Sequence, residues 1–163
     1  MLTPTLHVIL FEPEIAANTG AIGRTCVAAG ASLWLVRPLG FRIDDRNVRR
    51  AGLDYWEHLD LRIVDSLAEA AEAIGPDRLW SFTTKADSLY TSARFQSGDA
   101  LVFGPESRGL PAGWLGSQPP DHLLKIPMSP RARSLNLANA AAIGIYEAVR
   151  QFDQNDPLPQ RDS

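Results

Sequence analysis

Three short stretches gather residues that could handle a charged ligand and a proton. The first is Asn18-Thr19-Gly20-Ala21-Ile22-Gly23-Arg24. Here a carboxamide precedes a guanidinium by about 1.7 helical turns, so both can look toward one end of an element. The second is Gly104-Pro105-Glu106-Ser107-Arg108-Gly109-Leu110-Pro111. Its two glycines and two prolines fix a tight backbone around charged groups, which suits wrapping a small polar ligand. The third runs from Pro127 through Arg131, Arg133 and Ser134 to Asn136, just before a long helical pattern. The free N–H groups and partial positive charge at a helix start, with two arginines beside them, favour an anion. Each stretch also has a bland reading: a helix cap, a rigid turn, or surface arginines.

Several other chemistries are disfavoured. His7, His58 and His122 are scattered and none pairs with a second ligand at helical spacing, so no metal is expected. The single cysteine, Cys26, excludes an internal disulfide and a cysteine-based cluster. Ser107 and Ser134 lack a G-x-S-x-G context. The stretch after Asn18 lacks the G-x-G-x-x-G spacing of a dinucleotide fingerprint.

The elements that must position these stretches alternate. Apolar runs at 6–11, 32–36, 61–64, 78–83, 99–103 and 123–126 read as strands. Asn18 is expected to cap a helix with Ile22, Cys26 and Ala29 inward and Gly30 ending it. Ser66 and Glu69 have capping-box spacing ahead of Leu67, Ala70, Ala71 and Ile74. Ser134 and Asn136 are both suited to cap the last helix, which has Leu137, Ala141, Ile145, Ala148 and Phe152 on one face. Asn139, Ile143, Tyr146 and Arg150 form a second face, and Ala140, Ala141, Ala142 and Gly144 leave room for another backbone. The expected class is α/β, with a mostly parallel sheet flanked by helices. Residues 1–152 form one domain, and the tail at 153–163, with two prolines and several charges, is expected to be loosely ordered. Thr83-Thr84-Lys85 follows a strand, where open α/β sheets place ligands.

Charge locates a surface that the whole chain hides. The net charge is −3, with no nucleic-acid signature. Yet Arg37, Arg42, Arg46, Arg49 and Arg50 crowd one stretch, opposed only by Asp44 and Asp45. This is either a solvated loop or a local basic patch able to grip phosphates. No apolar run is long enough to cross a bilayer, and the amino terminus lacks a signal peptide's pattern, so a cytoplasmic setting is expected.

Read together and in order, the three stretches, with Arg49-Arg50-Ala51-Gly52-Leu53-Asp54-Tyr55, resemble the motifs of the SPOUT-class RNA ribose 2′-O-methyltransferases. Within that class they are most similar to the small wobble-position tRNA subgroup, the TrmL type. The resemblance covers residues 6–150, and Ala86 stands where members have glycine. It implies a carboxy-terminal trefoil knot, an exception to the rule that chains are unknotted. It also implies S-adenosylmethionine as methyl donor, no metal, tRNA as substrate and a homodimer with sites near the interface. By the same resemblance Phe82, Gly104, Ile126 and Ser134 contact the donor. Arg24 acts at the 2′-hydroxyl, with Asn18, Glu106, Ser134 and Asn136 positioning it and the ribose. RNA would meet Arg46, Arg49, Arg50, Arg131, Arg133 and Tyr146. Two roles for Arg24 stay open. It takes the hydroxyl proton, which is awkward for a guanidinium, or it holds phosphate and stabilises developing negative charge. An RNA-binding module of the same fold without turnover is the rival function.

Overall fold

The structure is a computed structural model and describes residues 4–44 and 46–153. Asp45 and residues 154–163, most of the expected tail, lie outside the described residues. Seven strands form one sheet: β1 (Leu6–Phe11), β2 (Ala31–Val36), β3 (Leu61–Val64), β4 (Leu79–Phe82), β5 (Ser88–Leu89), β6 (Asp99–Phe103) and β7 (Leu123–Lys125). Their order is β3-β2-β1-β6-β4-β7-β5, and every pairing is parallel. The α/β expectation holds. The chain winds outward from β1 through β2 to β3, then returns to lay β6 on the other side of β1. That reversal is the switch point at which open α/β sheets place their ligands.

Parallel strands need covered faces, and side chains alternate to supply two cores. Val8, Leu10, Leu33, Leu35, Leu101 and Phe103 face α1 (Ala16–Ala29) and α5 (Leu137–Asp153). Ile9, Val36, Ala100 and Val102 face the other way, toward α3 (Leu67–Ile74) and the Trp114 and Leu115 side chains of α4 (Ala112–Ser117). The remaining helix, α2 (Arg46–Gly52), leads into a 3-10 turn at Leu53–His58. Trp56 of that turn packs on Gly23 of α1, where an added Cβ would come within 3.0 Å of the indole. Cys26 is fully buried between α1 and the sheet, and burial pushes its thiol pKa far up.

Two sequence expectations change. Asn18 does not cap α1: the helix starts at Ala16 and Ile15 occupies the cap position without a side-chain bond. Asn18 lies inside the first turn and is buried. For α5 the cap is Asn136, whose Oδ1 accepts from the Asn139 N–H at 3.1 Å. Ser66 caps α3 as expected, accepting from the Glu69 N–H at 3.1 Å. Among the described residues no helix is long and apolar enough to cross a membrane.

Candidate functional site

The register aligns four strand ends. Leu10 pairs with Phe103, Phe103 with Phe82, and Phe82 with Leu124. The loops after β1, β6, β4 and β7 therefore open at one edge, and a cavity of about 720 Å³ lies among them. Phe82, Phe103, Leu110, Leu124, Ile126 and Leu137 give it an apolar floor. Polar groups come from Thr83, Lys85, Glu106, Arg133, Ser134 and Asn136. A volume of this size with mixed lining suits a molecule as large as a nucleoside derivative.

One hydrogen-bonded chain joins the three stretches. The Glu106 carboxylate accepts from the Glu14 N–H at 2.8 Å and the Ile15 N–H at 3.1 Å. It also accepts from the Asn18 side-chain amide at 3.3 Å. The backbone N–H groups of the two residues leading into α1 are thus met by a carboxylate from 92 and 91 residues downstream, not by a local cap. The Asn18 Oδ1 then accepts from the Asn136 Nδ2 at 3.1 Å. A second set of contacts reinforces the join. Glu14 accepts from the Ser107 hydroxyl at 2.5 Å, and Arg108 pairs with Glu12 and lies 3.9 Å from Glu14. Sequence reasoning missed the part played by Glu14. Its signal was the pair of acids flanking Pro13, directly after a strand end.

The structure therefore brings Asn18, Glu106, Ser134 and Asn136 to one cavity together with Phe82, Gly104 and Ile126. Phe82 is set by stacking on Phe103 at 4.7 Å between centroids, and by Gly144, where a Cβ would sit 2.8 Å from its ring. Arg24 stands apart. It is exposed on α1, outside the cavity lining, with its guanidinium 5.0 Å from the Tyr55 ring centroid. Arg46, Arg49 and Arg50 are exposed and share a shallow hollow with Asp44 and Asp54. Arg37 and Arg42, from the same basic stretch, are paired with Asp65 at 3.0 Å and Asp44 at 3.2 Å. Arg131 and Tyr146 are exposed, whereas Arg133 lines the cavity. No cluster of three metal-ligating side chains occurs among the described residues.

Known proteins resemble this chain over most of its length. The chain is 47% identical over 147 residues to the tRNA (cytidine(34)-2'-O)-methyltransferase of Aeromonas hydrophila, covering 90% of this chain and 94% of the relative. It superimposes with a TM-score of 0.86, at 47% identity and 92% and 97% coverage, on a structure reported as giving insights into the 2-OH methylation of C/U34 on tRNA. A further neighbour is the SpoU methyltransferase AviRb from Streptomyces viridochromogenes in complex with the cofactor AdoMet. It has a TM-score of 0.81 at 28% identity, with 93% of this chain and 59% of that one covered. The model of the SpoU rRNA Methylase family matches residues 5–146, and with the whole sheet and all three joined loops inside that span, the chain belongs to this family.

Proposed function

We propose that this protein transfers a methyl group from S-adenosylmethionine to the ribose 2′-hydroxyl of a tRNA nucleotide, the wobble cytidine or uridine of the anticodon. The observation that carries the reading is the Asn136–Asn18–Glu106 chain on the wall of a cavity floored by Phe82 and Ile126. It is the arrangement that a reaction between a nucleoside-bearing donor and a hydroxyl needs: a pocket for one reactant, and fixed polar groups beside it for the other.

The lining fits the donor. Phe82 and Ile126 offer apolar surface to a purine, while Gly104 and Ser134 offer backbone and hydroxyl groups to its polar parts. Bound there, S-adenosylmethionine supplies an electrophilic methyl on a sulfonium. The chain's own residues do the rest. Glu106 holds the start of α1 and orients Asn18. Asn18 and Asn136 orient each other, and with Ser134 they position the ribose. Arg24 acts on the 2′-oxygen, either taking its proton or stabilising its developing charge. Arg46, Arg49, Arg50, Arg131 and Tyr146 carry the RNA.

The same reading takes the active protein as a cytoplasmic homodimer whose single domain, residues 1–152, carries a trefoil knot. The knot is what membership of the matched family implies for the chain that follows β6. The homodimer is supported by Arg24, which is outside the cavity of its own chain and so calls for a second copy to complete the site. The test is incubation with tRNA and isotope-labelled donor, followed by nucleoside mapping. A 2′-O-methylated nucleotide at the wobble position is the expected product. Label in a base, or none above background, would overturn the assignment.

A further inference from the structure

The cavity carries a charge that its own chain does not balance. Its single carboxylate, Glu106, is occupied by two backbone N–H groups and the Asn18 amide. Of its three cations, Arg108 is paired with Glu12 and Glu14. The other two, Lys85 and Arg133, take part in no salt bridge among the described residues. They are placed by neighbouring strands. Lys85 sits in the turn after β4, where its N–H donates to the Thr83 hydroxyl at 3.2 Å, and the Thr83 N–H donates to Leu124 of β7 at 2.9 Å. Arg133 follows β7 in the loop that leads to α5.

A site that must accept a sulfonium would be expected to avoid bare cations, because like charges at close range repel. The donor's methionine end carries one group that reverses this penalty, its carboxylate. We infer that Lys85 and Arg133 form the subsite for that carboxylate and so set the direction in which the donor lies. The adenine then takes the apolar floor of Phe82 and Ile126, and the carboxylate takes the cationic rim. This inference rests on the proposed use of S-adenosylmethionine. It separates Arg133 from Arg131 and the other arginines read as RNA contacts.

The test is calorimetric titration of the full-length protein with S-adenosylmethionine and with its decarboxylated analogue, which keeps the sulfonium and amine. The parent, Lys85→Met, Arg133→Met and the double variant are compared, with circular dichroism confirming the fold and filter binding reporting tRNA affinity. The parent should prefer the carboxylate-bearing donor by about tenfold or more, as charge-assisted hydrogen bonds allow. In the double variant the two compounds should bind within about twofold of each other, because the cations that distinguish them are gone. Equal binding of both compounds by the parent overturns the inference while leaving the donor reading intact. A preference that survives in the double variant overturns it too. So does a loss confined to tRNA affinity, which would make the two cations RNA contacts. Failure of the parent to bind either compound overturns the donor reading itself, and this inference with it.

Discussion

The Asn136 side-chain amide donates to the Asn18 carbonyl oxygen at 3.1 Å, across 118 residues of sequence. The same Asn136 caps α5 through its Oδ1. The two roles can be separated. Asn136→Asp keeps an acceptor for the cap but sets an oxygen against the Asn18 oxygen. It should leave thermal stability within about 0.5 kcal/mol of the parent and still lower single-turnover methylation. Asn136→Ala loses both and should cost about 1 kcal/mol of stability as well. Thermal melts beside single-turnover rates read the two effects. Full turnover in Asn136→Asp would remove this hydrogen bond from the mechanism.

Arg24→Ala should remove most turnover, roughly 10²–10³ in rate, while fold and donor affinity stay as in the parent. Arg24→Lys is the sharper probe, because an amine gives up its proton more readily than a guanidinium. A proton-accepting role lets lysine recover activity as pH rises, whereas a bidentate grip on phosphate leaves it inactive throughout. Single-turnover rates under saturating tRNA make the comparison, and parental turnover in Arg24→Ala would take Arg24 out of the reaction.

Arg46, Arg49 and Arg50 are exposed on α2. Replacing all three with alanine should weaken tRNA binding. It should also flatten the slope of log affinity against log salt by roughly 2–3, at about 0.7–0.9 for each phosphate no longer neutralised. Donor affinity should not move. Equal salt slopes in variant and parent would return these arginines to a solvated surface.

His7 gives a pH dependence of stability. Its Nδ1 lies 2.6 Å from the Ser32 hydroxyl and accepts from the Trp34 indole N–H at 3.2 Å. A second proton on that nitrogen would face an indole N–H that can only donate. Burial first, then the nearby Arg62 with a smaller part from Arg78, holds the pKa below its ordinary 6.5, while Asp60 opposes them. Above pH 6.5 both folded and unfolded histidine are neutral, and the contribution is level. As pH falls below 6.5 the unfolded chain takes up the proton first, so stability drops until the folded pKa is passed. Urea denaturation across that range should show the drop in the parent. It should be absent in His7→Asn, which keeps an acceptor but cannot titrate. An identical pH slope in both proteins would place the titration elsewhere.

Much of the fold was legible because parallel strands buried on both faces read as dense apolar runs. Leu6–Phe11 and Asp99–Phe103 have the extents expected from sequence. The two-residue β5 was not visible, since Ser88 and Leu89 carry no periodicity and are strand only by pairing with β7. Asn18 was misread as a cap because a local pattern cannot show a carboxylate arriving from Glu106. The need for glycine at 104 was not legible either: a side chain there would strike the backbone of Gly109 and Leu110, so a valine at this position tests the folding of the loop rather than the donor site. The basic stretch, open from sequence to a solvated loop or a phosphate-gripping patch, is split by folding. Arg37 and Arg42 are taken by Asp65 and Asp44, while Arg46, Arg49 and Arg50 stay together.

The burial of Cys26 has a practical consequence. The chain has one cysteine, and its thiol is fully covered and held protonated by its surroundings. A thiol in that state is inert to maleimide reagents under native conditions. A cysteine engineered at the exposed Arg131 would therefore be the sole reactive handle on the unaltered background. A spin label or fluorophore could then report from the loop before α5 while the donor or tRNA is added.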